Sequence, residues 1–156
     1  MERKQRMSRT GDLLLPSRVS LDLTVPDRSA AVRATAELLR GDPLVPSWDQ
    51  LWAAIAKREA VDLGDSSCGI CLAHGRSETM KQLVLCAARL ASAVPGTSEW
   101  PVRLVFVFVL PVTMAEEYLR KVGALARACS MAEKVEQLQQ AEDAENFSDL
   151  VNRWLV

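Results

Sequence analysis

Residues 102–110 read Val-Arg-Leu-Val-Phe-Val-Phe-Val-Leu, and this run decides the fold class. Every side chain in it except that of Arg103 is aliphatic or aromatic. A strand with one face in water would alternate apolar and polar residues, so an unbroken apolar run is typical of a strand buried on both faces. Such a strand needs helices above and below its sheet. With Pro111 close behind it, the run is far too short to cross a bilayer.

Strands and helices alternate along the rest of the chain. The periodicity predicts strands over residues 18–25, 69–74 and 82–89, and helices over 29–40, from 47 to about 58, over 114–129, and on to 154. Three helix starts carry capping signals, namely Asp27, Ser47 with Gln50, and Ser130 with Glu133. The order of elements predicts an α/β domain with a mixed sheet sandwiched by helices.

Length and composition predict one ordinary globular domain. The chain has 156 residues, 49% of them hydrophobic and 25% charged, with a formal net charge of −1. We expect a flexible arm over residues 1–17 and a single domain over 18–156. The arm is basic, but no long apolar run follows it, which argues against a secretory signal. The charge balance gives no reason to expect nucleic acid, and we predict a cytoplasmic protein without membrane insertion.

His74 is the only histidine, so any imidazole chemistry must use it. It follows the apolar residues 69–73, and the polar residues 75–78 after it predict that it lies at the mouth of the strand. A lone histidine in an apolar run is more often a packed core residue, but this position favours an accessible ring. Gly75 would let backbone N–H groups approach a group bound there. An imidazole with a pKa of about 6.5 is neutral enough near pH 7 to act as a nucleophile.

The sequence around His74 resembles a known phosphorylation motif. Residues 69–76 read Gly-Ile-Cys-Leu-Ala-His-Gly-Arg. They resemble the Gly-Ile-Ala-Ile-Pro-His-Gly-(Arg/Lys) motif of enzyme IIA domains of the bacterial sugar phosphotransferase system, in the nitrogen-regulatory and fructose/mannitol branch. Arg58-Glu59 is similar to an Arg-Glu pair that precedes the histidine in that family, and residues 101–111 resemble its hydrophobic strand. The resemblance covers roughly residues 18–152 and implies the mannitol/fructose-type enzyme IIA fold.

The resemblance also implies a set of site residues and a partner. His74 would accept a phosphoryl group from a histidine phosphocarrier protein, and Arg58 would clamp the phosphate. Ser66 and Ser67 would be neutral donors to it, and Tyr118 stands where many members carry a second histidine. No cofactor and no metal is implied. The sequence shows no attached membrane segment or second phosphotransfer domain. We therefore expect this domain to regulate target proteins and not to serve dedicated sugar uptake.

The same residues allow two other interpretations of the function. The chain could be a regulatory module that keeps the enzyme IIA fold, binds partner proteins and is impaired in phosphorylation, since Asp65 and Ser66 replace residues of the family's glycine-rich loop. Cys68, Cys71 and His74 also have the spacing of a zinc or redox site. On a strand, however, Cys71 would point away from the face shared by Cys68 and His74, and buried thiols are the better interpretation.

Overall fold

The centre of the protein is a five-stranded sheet with strand order β1-β4-β5-β3-β2. The structure is a computed structural model and describes residues 12–64 and 68–156. The strands are β1 (Val19–Leu23), β2 (Val61–Gly64), β3 (Gly69–Arg76), β4 (Val84–Val94) and β5 (Val102–Leu110). The β1/β4 and β3/β5 pairs are parallel, whereas β4/β5 and β2/β3 are antiparallel. The predicted mixed sheet is confirmed.

Helices cover both faces of this sheet. They are α1 (Arg28–Ala36), α2 (Trp48–Ala56), α3 (Ala115–Cys129), α4 (Ala132–Gln140) and α5 (Ala144–Trp154), with short 3₁₀ turns at Pro16–Arg18, Glu37–Leu39 and Val112–Met114. One apolar core lies between the sheet and α1 with α2, and a second lies between the sheet and α3 to α5. The helical sandwich predicted from the sequence is therefore confirmed. Within the described residues, no helix is both long and apolar enough to cross a membrane.

Strand β5 divides its side chains between the two cores, as its composition predicted. Val105, Val107 and Val109 face α1 and α2. The larger residues alternate with them on the other face, where Phe106 stacks on Phe147 of α5 with ring centroids 6.2 Å apart. The strand has the predicted bounds because both of its faces are buried, and its one polar residue, Arg103, lies half-buried near the start of the strand.

The start of α2 matters for the site because this helix leads into Arg58. Ser47 caps it by accepting a hydrogen bond from Gln50 N, as predicted. Trp48 then anchors α2 to α1, because its indole Nε1 donates to the Ala36 carbonyl oxygen at 2.9 Å. The guanidinium of Arg40 lies 3.9 Å from the centre of the Trp48 ring. These contacts hold the start of α2 against α1 and the turn that follows it.

The predicted cap at Ser130 is wrong. The Ser130 hydroxyl donates to the Arg127 carbonyl oxygen at 2.6 Å, so it closes the end of α3 and does not begin α4. Helix α4 begins at Ala132, after Met131. A separate helix, α5, begins after Asp143, whose carboxylate accepts from Asn146 N at 2.7 Å. Met131, and not Ser130, holds the N-cap position of α4, and no side chain of the described residues caps this helix.

Several boundaries differ from the prediction, among them the end of β4, which runs to Val94 and not to residue 89. Residues 61–64, for which no strand or helix was predicted, form the edge strand β2, and β3 continues past His74 to Arg76. Part of the arm expected over 1–17 packs on the domain, because Leu14 is buried and the Asn152 side chain binds its backbone. Leu14 N donates to Asn152 Oδ1 at 3.0 Å, and Asn152 Nδ2 donates to the Leu14 carbonyl oxygen at 2.8 Å. Residues 12–17 thus pack on the domain, while residues 1–11 lie outside the described part of the chain.

Candidate functional site

His74 lies inside β3, not at its end. The strand pairs with β5 through Arg76, and His74 itself is opposite Phe108. Alternation along β3 directs Ile70, Leu72 and His74 towards α3, and the His74 ring is half-buried there. The same alternation puts Cys71 in the core on the opposite face, as predicted. Cys71 is a buried thiol whose pKa burial raises to about 12, which makes it a poor metal ligand or nucleophile.

Tyr118 of α3 lies directly over the His74 ring. The two ring centroids are 5.0 Å apart and the rings are tilted by 30°. Phe108 supports Tyr118 from below in an edge-to-face contact, with centroids 5.4 Å apart. Burial raises the pKa of Tyr118, an effect that Arg76 and Arg58 oppose, so the phenol remains protonated. A neutral Tyr118 therefore lies beside the imidazole.

Gly75 sets how close α2 lies to β3. A Cβ atom at this position would be 2.7 Å from Ile55 Cγ1 and 3.0 Å from Ile55 N. The absence of a side chain therefore lets the end of α2 pack directly against the strand beside His74. This role differs from the one expected from the sequence, which was access of a bound group to the backbone. The Ile55 carbonyl oxygen then accepts from Arg58 N at 3.1 Å, which turns the chain so that Arg58 follows the helix at the site.

Two arginines give the site its charge. The pKa of His74 is lowered, first by burial of the ring and then by the positive charges of Arg58 and Arg76. At neutral pH the imidazole is therefore uncharged, and a ring nitrogen keeps its lone pair. Arg76 is two residues from His74 on β3, on the same face of the strand. Among the described residues, neither arginine forms an ion pair with a carboxylate.

An open cleft of about 630 Å³ lies beside this group, between α2 and the end of β3. We call it the α2–β3 cleft. Ala53 and Ala54 form part of its lining, together with the cations Lys57, Arg58 and Arg76 and the carboxylate Glu78. His74 is not part of the lining, so the cleft and the imidazole are neighbours that share the two arginines.

The structure brings together some of the predicted site residues. His74 and Tyr118 are in contact, and Arg58 is close enough to act on both electrostatically. Ser66 and Ser67 lie outside the described residues, in the segment that joins β2 to β3. Arg76 was missed as a site residue, although its position two residues after His74 on a strand was a signal for it. Among the described residues, no group of three His, Cys, Asp or Glu side chains could hold a metal ion.

The fold and the site define a class of protein: an α/β domain with one neutral imidazole held beside two guanidinium groups. The chain matches the family described as "Phosphoenolpyruvate-dependent sugar phosphotransferase system, EIIA 2" over residues 12–154. It therefore belongs to this EIIA family, whose members are phosphotransfer components, and it has a general transferase role.

Solved structures have the same fold. The nitrogen regulatory protein IIA-Ntr from Neisseria meningitidis is 24% identical with a TM-score of 0.75, and the match covers 91% of this chain and 98% of that one. IIA mannitol from Escherichia coli is 18% identical with a TM-score of 0.67, covering 86% and 96%. The IIA mannitol in a complex with phosphorylated enzyme IIB is 15% identical with a TM-score of 0.65, covering 86% and 94%. Comparison with curated protein sequences gives no match.

Proposed function

We propose that this protein is a phosphohistidine carrier of the nitrogen-regulatory type, with His74 as the residue that accepts the phosphoryl group. The observation that carries the proposal is the neutral, half-buried imidazole beside Arg58 and Arg76 and 5.0 Å from the Tyr118 ring. The donor would be a phosphorylated histidine of a phosphocarrier protein. Membership of the EIIA family supports this direction of transfer.

The transfer requires little covalent chemistry from the protein. The lone pair of a His74 ring nitrogen attacks phosphorus while the N–P bond of the donor breaks. The donor imidazole keeps that electron pair and takes up a proton, and phosphorylated His74 releases one from its other ring nitrogen, so the exchange is balanced. Catalysis then depends on position and on charge stabilisation at the three outer oxygens. Arg58 would bind these oxygens as a two-pronged donor, and Tyr118 would donate one neutral hydrogen bond. Ser66 and Ser67 would add neutral donors.

A regulatory role fits better than dedicated sugar uptake. Among the similar structures, the nitrogen regulatory IIA-Ntr has a TM-score of 0.75, above the 0.67 of IIA mannitol. We propose that the phosphorylation state of His74 controls binding to regulatory target proteins in the cytoplasm. A second candidate is a binding module with impaired phosphorylation, and Tyr118 favours it, because a phenol cannot supply the positive charge of the histidine that many members carry there.

The test is phosphorylation by the relay itself. The protein is incubated with phosphoenolpyruvate, enzyme I and a histidine phosphocarrier from the same organism, and acid-labile phosphate is read by intact mass. Wild type should gain one phosphoryl group and His74→Ala none. A folded wild type that stays unlabelled beside an active carrier would overturn the carrier function in favour of the binding module.

Matched variants test the role of charge. Arg58→Gln should slow labelling by about 100-fold, as expected for loss of a donor that stabilises transition-state charge. Arg153→Gln removes an exposed arginine on α5 and should leave the rate unchanged. Equal rates in the two variants would remove Arg58 from the mechanism.

A further inference from the structure

The α2–β3 cleft carries charge that the protein does not neutralise. Lys57, Arg58 and Arg76 line it with one carboxylate, Glu78. All three cations are exposed at the mouth of the cleft. Among the described residues, no carboxylate forms an ion pair with the three cations of the cleft. Unpaired cations on a concave surface attract anions.

The shape of the cleft suits a small anion. Its volume of about 630 Å³ lies within the range of about 300–1,000 Å³ that is usual for small-molecule sites. Ala53 and Ala54 leave room on the helix side, while guanidinium groups bind phosphate in a two-pronged geometry. An organic group joined to a phosphate would place its phosphate at the arginines and its remainder along α2.

We propose that the α2–β3 cleft binds a small phosphate monoester, and that its occupancy opposes phosphorylation of His74 because both anions require Arg58 and Arg76. The second half rests on the proposed function, whereas the binding site does not. With a phosphoryl group on His74, the two arginines turn to its oxygens and the cleft loses two of its three cations. Linkage then requires that a bound monoester weakens phosphorylation by the same factor.

Binding is tested on the unmodified full chain. Inorganic phosphate and glycerol 3-phosphate are titrated at constant ionic strength into ¹⁵N-labelled protein, with glycerol as the uncharged control. Saturable shifts are expected at the Ala53 and Ala54 amides. Lys57→Gln removes a cation that lines the cleft and should weaken binding about tenfold, while Arg153→Gln should bind like wild type.

Several results would overturn the cleft as a monoester site. Shifts that do not saturate would show that no site exists. Shifts confined to His74 and Tyr118 would place the phosphate at the imidazole. A glutamate-rich peptide is titrated in the same way. If the peptide gives saturable shifts at Ala53 and Ala54 and glycerol 3-phosphate does not, the ligand of the cleft is an acidic protein partner and not a monoester.

The competition is tested without the relay. Phosphoramidate transfers its phosphoryl group to imidazoles with loss of ammonia, and His74 is the only histidine. Phosphorylated protein should bind glycerol 3-phosphate about 5- to 150-fold more weakly. In unmodified protein, the bound monoester should raise the pKa of His74, because it neutralises Arg58 and Arg76. Unchanged affinity after phosphorylation, or an unchanged His74 titration, would overturn the competition. Failure of the phosphocarrier to label His74 would instead refute the proposed function alone.

Discussion

Replacing Gly75 with alanine tests whether α2 must touch β3 for the site to form. The new Cβ would lie 2.7 Å from Ile55 Cγ1 and 3.0 Å from Ile55 N. Carbon atoms pack at about 3.5–4.0 Å, so α2 must move by at least about 0.8 Å. Overpacking costs about 1–3 kcal/mol, and the alanine recovers about 0.5–1 kcal/mol of chain entropy. We expect Gly75→Ala to lower the free energy of unfolding by about 1–2 kcal/mol.

Two further variants isolate the cause. In an Ile55→Ala background the side-chain clash is gone, so Gly75→Ala should cost about 1 kcal/mol less than in wild type. Gly123→Ala is the matched control, because its Cβ would approach only the Arg127 side chain, at 3.4 Å. It lies within α3, where alanine is favoured over glycine by about 1 kcal/mol, so this variant should be stabilised.

The assay is urea unfolding of wild type, the three single variants and the Ile55→Ala/Gly75→Ala double variant, followed by phosphoryl labelling of those that fold. Displacing α2 also displaces Arg58, and an error of about 1 Å in position can cost about 100-fold in rate. Gly75→Ala should therefore label much more slowly, while Gly123→Ala should match wild type. The reasoning fails if Gly75→Ala is as stable as wild type, or if its cost is the same with and without the Ile55 side chain.

Three further predictions concern single groups. By NMR, His74 should titrate below its ordinary pKa of 6.5. Because the unfolded state then takes up the proton first, the free energy of unfolding should fall as pH drops below about 6.5. His74→Asn should remove this pH dependence. Burial alone would raise the pKa of Asp62, but hydrogen bonds from Arg28 and Thr97 lower it below 3.8. The contribution of Asp62 to the free energy of unfolding should be present above about pH 4 and be lost below it. Asp62→Asn should therefore be less stable at pH 7, and its stability should depend less on pH in acid; an unchanged midpoint of acid unfolding would contradict this. Arg89 Nη1 donates to three carbonyl oxygens at the end of α4, at 2.9–3.1 Å. Arg89→Met should therefore lower the free energy of unfolding in urea by about 3 kcal/mol, and a loss below about 1 kcal/mol would show that water replaces the donor.

Local patterns were sufficient where burial or capping decides the structure. The bounds of β5 followed from its unbroken apolar run, and the start of α2 followed from Ser47. Strand β2 could not be seen in this way. Its Asp62 looks like a loop residue, yet Arg28, 34 residues earlier, donates to its carboxylate at 2.8 Å. Only the folded chain brings that partner to it.

The site shows the same division. His74 and Tyr118 were identified from the resemblance, and the structure brings their rings together. Arg76 and the packing role of Gly75 depend on how far β3 extends and on where α2 comes to lie. The position of Arg76 two residues after His74 was a signal for its role, whereas nothing next to Gly75 in sequence indicates its packing role. The clearance at Gly75 is set by Ile55, which belongs to another element.

The clasp between Leu14 and Asn152 has a consequence for synthesis of the protein. The two residues are 138 positions apart in sequence. At about 5–20 residues per second, a ribosome needs roughly 7–28 s to reach the second after the first. The nascent N-terminal segment lacks this partner during that time, and β1 lacks its own partner until β4 has been made. Their apolar side chains would then be open to chaperones, and slow translation would prolong this exposure.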